Sequence, residues 1–203
     1  MNMYQAHPWH GIKADSNSGD VHAFIEIVPS DTVKYEVDKE SGYLMIDRPQ
    51  KFSNIVPALY GFVPQTYCYK EVGSYCSEMT GREGIVGDED PLDICVLTER
   101  DVTHGNILVN AKVIGGFRMI DGGEADDKII AVLAEDQIYN YDDISEVPGA
   151  LLKRLKHYFL TYKIDPSKMD EKPDIEIAAT YGRDEALEVI KRSKVDYATN
   201  YTK

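Results

Sequence analysis

The sequence predicts an α+β fold in which a β-barrel core carries two helices from its C-terminal region. Two observations lead there. Short strand signals separated by turn chemistry fill residues 23–135, and from residue 145 to 200 the apolar period lengthens to three or four. The length, 203 residues, fits one domain, and no repeat, low-complexity tract or Pro/Gly/Ser-rich linker divides it. The expected organisation is therefore a single domain, 1–203, with a polar N-terminal arm (1–22), a barrel (23–135) and a helical region (145–200).

Taken in order, the strand candidates are FIEIV, VKYEV, YLMID, DICVL, NILVNAKVI and KIIAVLA. Turns such as Asp38-Lys39-Glu40-Ser41-Gly42 and Asp121-Gly122-Gly123 separate them. Leu151, Leu155, Phe159 and Tyr162 then recur at helical spacing, with Lys153, Arg154, Lys156 and His157 on the other face. Pro148 and Gly149 stand near the start, where the missing proline N–H costs nothing. A strand, IEIAA, leads to a second helix from about Asp184 to Tyr197, with Ala186, Leu187, Ile190 and Tyr197 inward.

Composition excludes several classes. Apolar residues at 43% and charged ones at 28% are ordinary for a globular chain, which argues against disorder, collagen and coiled coil. The longest aliphatic run, Ile129 to Ala134, is far short of the ~20 residues of a membrane span. MNMYQAHPWHG has neither the basic nor the apolar region of a secretory leader, and three cysteines without a CxxC fit reduced thiols, so the expected location is cytoplasmic. Thirty-five acidic residues against 22 basic ones give a net charge of -13, the opposite of a nucleic-acid footprint.

Period-two arithmetic shows where strand charges point. Glu26 shares a face with Phe24 and Val28, Lys34 with Glu36, and Arg48 with Leu44 and Ile46. Singly, each reads as the solvent face of a half-buried strand. The strongest signal is Gly87-Asp88-Glu89-Asp90-Pro91-Leu92-Asp93, four carboxylates at the mouth of the apolar strand Ile94 to Leu97. Carboxylates on a rigid support suit a hard divalent cation such as Mg²⁺. A calcium EF-hand fails here, because Asp93 falls where that loop needs glycine. A second acidic set contains Asp121, Asp126 and Lys128, and Tyr162-Lys163 closes the long helix.

At these residues the sequence resembles the soluble family I inorganic pyrophosphatases. DEDPLD is similar to that family's D-x-D-P-x-D signature. IEI with Glu26, KYEVDKESG with Lys34 and Glu36, Asp47-Arg48, Leu59-Tyr60-Gly61, DGGEADDK and Tyr162-Lys163 follow in family order, over about residues 23–163. The resemblance implies a five-stranded OB-like barrel with the site at its mouth. It also implies Mg²⁺-dependent hydrolysis of pyrophosphate to two orthophosphates, which drives pyrophosphate-releasing biosynthesis.

By the same resemblance Asp88, Asp93 and Asp126 hold the activating metals, Asp121 and Glu26 contribute to metal binding, and Asp90 is the general base. Lys34, Arg48, Tyr60, Lys128, Tyr162 and Lys163 hold the phosphates, with Glu36 behind them. Several Mg²⁺ ions are implied, with Mn²⁺ or another divalent ion as substitute. So is a homo-oligomer, hexameric by family precedent, with dimer and trimer as alternatives. Neither nucleic acid nor membrane is an expected partner. Val56 departs from a frequent tyrosine, Gly122 from a frequent acid, and the stretch 66–87 is longer than in compact members.

The other readings are a metal-dependent hydrolase of a larger phosphoanhydride or phosphoester, and an OB-like binding module. The absence of a basic, aromatic-interleaved stripe weighs against nucleic acid. No GxxxxGK[ST] supports a nucleotide P-loop, and His7 and His10 lack the further ligands of a zinc site. Cys95, in an apolar strand, reads as packing.

Overall fold

The structure, a computed structural model, describes residues 5–17, 20–164, 167 and 174–202. Residues 1–4 and 18–19 of the expected arm, and 165–166 and 168–173 of the expected helical region, lie outside the described residues. The strands are β1 (Val21–Ile27), β2 (Val33–Val37), β3 (Leu44–Pro49), β4 (Leu59–Phe62), β5 (Asp93–Leu97), β6 (Ile107–Asp121), β7 (Glu124–Ala125), β8 (Lys128–Leu133) and β9 (Ile175–Gly182). The helices are α1 (Lys70–Thr80), α2 (Gly149–Thr161) and α3 (Arg183–Tyr201).

Five strands close a ring in the order β1-β4-β5-β8-β6, with β6 returning to β1. This is the barrel the sequence predicts, with β7 and β9 added along the far half of β6. β5 and β8 run parallel. Both read as unbroken apolar runs because both their faces are covered. Ile94, Val96, Ile129 and Ala131 pack in one cluster with Val72 and Cys76 of α1 and Ala186, Val189 and Ile190 of α3. Cys95, Leu97, Ile130 and Val132 pack in a second with Leu155 and Phe159 of α2. Cys95 is thus a packing residue, as expected.

The structure departs from the sequence reading in several places, each for a physical reason. β6 does not stop near Ile114. It continues through Gly115-Gly116 with a register shift between Val113 and Gly115. A Cβ on Gly115 would meet the Tyr181 carbonyl oxygen at 2.5 Å, and one on Gly116 the Tyr181 ring at the same distance. These glycines therefore mark close approach of β9 rather than a turn. β4, absent from the strand candidates, is similar: a Cβ on Gly61 would lie 1.8 Å from the Phe24 carbonyl oxygen.

The long stretch 66–87 contains α1, whose start is capped from across the fold. The buried Asp196 carboxylate accepts from the backbone N–H groups of Tyr69 at 3.0 Å and of Glu71 and Val72 at 3.1 Å. Gly81, in the left-handed region at φ 66°, ends the helix. On α3 the expected inward Leu187 is 40% exposed. The buried stripe is Ala186, Val189, Ile190, Ser193, Asp196 and Tyr197, and Leu187 lies one residue's rotation off it. Among the described residues no helix is long and apolar enough to cross a membrane.

Candidate active site

Strand pairing assembles the site. The parallel register of β5 and β8 sets Asp93 directly beside Lys128, although 35 positions separate them in sequence. Asp126 lies two residues before Lys128, and the Lys128 ammonium bonds both Asp93 and Asp126. Tyr60, opposite Cys95 on β4, donates its hydroxyl to Asp93 Oδ2 at 2.5 Å.

The acidic loop before β5 is laced to residues 66–68. Cys68 N–H donates to the Asp90 carbonyl and Glu89 N–H to that of Cys68, both at 2.9 Å. The Leu92 N–H donates to Thr66 Oγ1, also at 2.9 Å. Glu89 adopts φ 61°, a left-handed conformation uncommon outside glycine, which these bonds hold in place.

Two β-bulges aim further side chains. Register shifts between Ile25 and Ile27, so Glu26 is the extra residue opposite β4. Its carboxylate accepts from Val37 N–H at 2.6 Å, tying the β2–β3 hairpin to the barrel. In the hairpin, Lys34 pairs with Arg48 but Tyr35 pairs with Ile46, leaving Asp47 as the extra residue. The expectation that Arg48 shares a face with Ile46 therefore fails. Arg48 turns into the cavity while Ile46 is 56% exposed.

The cavity so formed has a volume of about 500 Å³. Glu26, Lys34, Glu36, Arg48, Tyr60, Asp88, Asp90, Asp93, Asp121, Asp126, Lys128, Tyr162 and Lys163 all line it. Lys34 bonds Glu36 at 2.7 Å and approaches Asp47 at 3.0 Å. Lys163 pairs with Asp121, and the Tyr162 ring stacks on Tyr158 at 5.3 Å.

The cavity is short of positive charge. Burial pushes Glu26 up to about 8, reinforced by Asp93 and Glu36 against the Val37 N–H. Burial, then repulsion from Asp126, pushes Asp88 up to about 9, and the two carboxyls share a hydrogen bond. Asp126 is raised by burial despite Lys128. Lys128 is itself raised: desolvation opposes its charge, but Asp126 and Asp93 outweigh it.

Among the described residues no three His, Cys, Asp or Glu side chains stand in a ready-made cage for a metal ion, and the Lys128 ammonium bridges Asp93 and Asp126. The donor set nevertheless fits a hard divalent cation. It is all carboxylate oxygen, and burial pushes its members Asp88 and Asp126 towards the protonated form.

Trp9, Lys39, Glu124 and Tyr158 are among the lining residues that the sequence reading does not assign to the site. Lys39 belongs to the KYEVDKESG segment but has no role of its own there, and its ammonium pairs with Asp90. Glu124 follows Gly122 and Gly123, both at positive φ, which present it at the rim. Tyr158 lies one helical turn before Tyr162 and brings a second phenol to the wall. Val56 is fully buried and does not line the cavity. His7 and His10 serve the ordered arm: His7 Nδ1 accepts from Trp9 N–H at 3.1 Å, and His10 Nδ1 lies 2.7 Å from the Tyr197 hydroxyl.

With this geometry in place, likeness to known proteins becomes informative. The family model for inorganic pyrophosphatase matches residues 23–198. An inorganic pyrophosphatase of Chlamydia trachomatis is 54% identical over 196 residues, 95% of this chain and 94% of its own. The soluble inorganic pyrophosphatase of Zea mays is 39% identical over 165 residues, 80% of this chain and 68% of its own. Among solved structures, the Thermus thermophilus inorganic pyrophosphatase superposes with a TM-score of 0.76 at 28% identity, covering 95% of this chain and 99% of that one.

Proposed function

Because the chain belongs to the inorganic pyrophosphatase family, we propose that it hydrolyses inorganic pyrophosphate to two orthophosphates in the cavity at the barrel mouth. The observation that carries this reading is the mixture in one wall: buried carboxylates in excess, interleaved with Lys34, Arg48, Lys128 and Lys163. Carboxylates alone would repel a phosphate anion. Basic groups alone would not collect divalent cations.

Asp88, Asp93, Asp126 and Asp121 are the residues that hold the metals, with Glu26 contributing directly or through water. When bound, divalent cations, Mg²⁺ first and Mn²⁺ as substitute, neutralise the acidic wall and lower the pKa of the attacking water from 15.7 towards ~7. Asp90, at the loop apex, accepts that water's proton. Arg48 offers a planar fork to phosphate oxygens, while Lys34 and Lys128 act as point charges. Tyr162 and Lys163 hold the departing phosphate, and the Tyr60 hydroxyl fixes Asp93. Glu36 orients Lys34 through their ion pair. Position and electrostatics thus do most of the work, as expected for phosphoryl transfer.

In the cell, removal of pyrophosphate draws biosynthetic reactions that release it towards completion. The reading places the chain in the cytoplasm as a single-domain subunit of a homo-oligomer, a hexamer first. Exposed Tyr43, Met45, Ile46 and Phe52 on the hairpin and the loop after it support assembly.

The test is phosphate release from pyrophosphate, a nucleoside triphosphate and a simple monoester, in Mg²⁺, Mn²⁺ or excess chelator. Rapid release from pyrophosphate in Mg²⁺, and none with chelator, is expected. Metal-loaded protein that leaves pyrophosphate intact would overturn the reading, and preference for the triphosphate or monoester would reassign the substrate.

A further inference from the structure

Lys39 belongs to the β2–β3 turn, whose geometry is tightly determined. Asp38 Oδ2 accepts from the Ser41 N–H at 2.8 Å, and Gly42 N–H donates to the Asp38 carbonyl, also at 2.8 Å. Gly42 sits at φ 75° directly against the N-terminal arm, where an added Cβ would meet the His7 ring at 2.8 Å and Pro8 Cδ at 3.0 Å.

The arm continues into Trp9, which is buried between hairpin and barrel among Val37, Phe24, Phe62 and Tyr67. Its indole Nε1 donates to the Thr66 carbonyl at 2.7 Å, and Gln65 N–H donates to the Trp9 carbonyl at 2.9 Å. Thr66 Oγ1 in turn accepts from Leu92 N–H at the root of the acidic loop. A closed circuit results. It runs from the turn through the arm to residues 65–66, on to the acidic loop, and back across the cavity mouth through the Lys39–Asp90 ion pair.

From this circuit we propose that Lys39 is a positioning residue for the proposed hydrolysis, holding one oxygen of Asp90 so that the other faces the reacting water, and that Trp9 sets the reach of Lys39. The inference rests on the pyrophosphatase reading above. A charge-assisted bond to one carboxylate oxygen restricts the rotation of the group. The Asp90 carboxylate has no other partner among the described hydrogen bonds, so without Lys39 the carboxylate of the loop apex would sample directions unproductive for proton transfer. Because both residues of the pair are exposed by nearly half, with side chains 44% and 46% accessible, the bond gives orientation rather than folding stability.

The test measures kcat and KM for pyrophosphate in Mg²⁺ with the full chain. Lys39→Met is expected to lower kcat about tenfold, the scale of one hydrogen bond to a charged group, with KM little changed. Lys39→Arg is expected to restore most of the loss, since the guanidinium supplies the same charge and donors. Trp9→Phe keeps an aromatic ring but removes the donor to Thr66. It is expected to lower kcat in the same sense, and to cost nothing further when added to Lys39→Met.

An active wild type whose Lys39→Met variant keeps its kcat overturns the proposal. So does a loss confined to KM, or full additivity of the two substitutions. Wild-type protein that releases no phosphate instead removes the pyrophosphatase reading itself. Lys39 lies on an exposed turn, so its variants remain informative even if Trp9→Phe proves unstable.

Discussion

Asp126 and Asp127 are neighbours in sequence and opposites in environment. Asp126 lines the cavity, where the Lys128 ammonium holds it together with Asp93. Asp127 points into a closed cluster behind the barrel wall, where Arg118 Nη2 lies 3.8 Å away. Arg118 is 1% exposed, bonds Glu185 at 2.6 Å and lies over the rings of Tyr75 and Tyr181, at 5.1 and 4.9 Å. One acid thus shares a buried lysine with Asp93 in the cavity wall, the other faces a stacked guanidinium with nowhere to go. Lysine is a mobile point charge and arginine a planar fork, so the first arrangement can exchange partners while the second holds elements together. Carboxylate–cation pairs thus line the cavity on one side of the wall and lie sealed in the packing on the other.

The largest effect that would break this comparison belongs to the cavity. Asp90→Asn is expected to lower kcat on pyrophosphate by about a thousandfold, the range of a lost general base, while the melting temperature and Mg²⁺ binding stay the same. Steady-state kinetics beside calorimetry decides it, and unchanged turnover would remove Asp90 from that role.

The matching change in the sealed cluster is Arg118→Met, which leaves Asp127 buried without its cation. A stability loss of about 3 kcal/mol in urea titrations is expected, with activity per folded molecule retained. Asp127→Asn in that background is expected to recover part of the loss. If Arg118→Met instead abolished turnover in folded protein, the division between the two clusters would fail.

A third expected effect is a dependence on pH. Folded Glu26 keeps its proton to about pH 8, against 4.5 for the free side chain. Folded Asp88 keeps its proton to about 9, against 3.8. The folded state therefore binds more protons than the unfolded one in this window, and metal-free stability declines as pH rises from the lower values through the higher. Mg²⁺ is expected to flatten that decline by taking the place of the protons. Urea melts across the window, with chelator and with Mg²⁺, measure both slopes; equal slopes would argue against metal at these carboxylates.

The smallest effect is Tyr60→Phe. It removes the 2.5 Å bond to Asp93 but keeps the ring near Phe159, and about a tenfold fall in kcat/KM is expected.

Much of this protein was legible from local pattern. VKYEV and DICVL coincide with β2 and β5, and the helical stripe of Leu155 and Phe159 is buried as its period requires. Charge balance and the D-x-D-P-x-D spacing pointed to the same carboxylates that the cavity gathers. These signals are readable because side-chain direction repeats every two residues in a strand and every three to four in a helix.

What the sequence determined by itself was the type of element, the acidic chemistry and, through ordered motifs, the family. Tertiary structure alone decided which five strands close the ring, that Gly115-Gly116 continues β6, that residues 70–80 form a helix capped by Asp196, and that Lys39 meets Asp90 from 51 positions away. Bulges at Glu26 and Asp47 likewise override the period-two rule. The physical reason is common to all of them. Periodicity records which way a side chain points relative to its own strand or helix, whereas partners, close approaches and bulges depend on segments distant in sequence, brought together only when the chain packs.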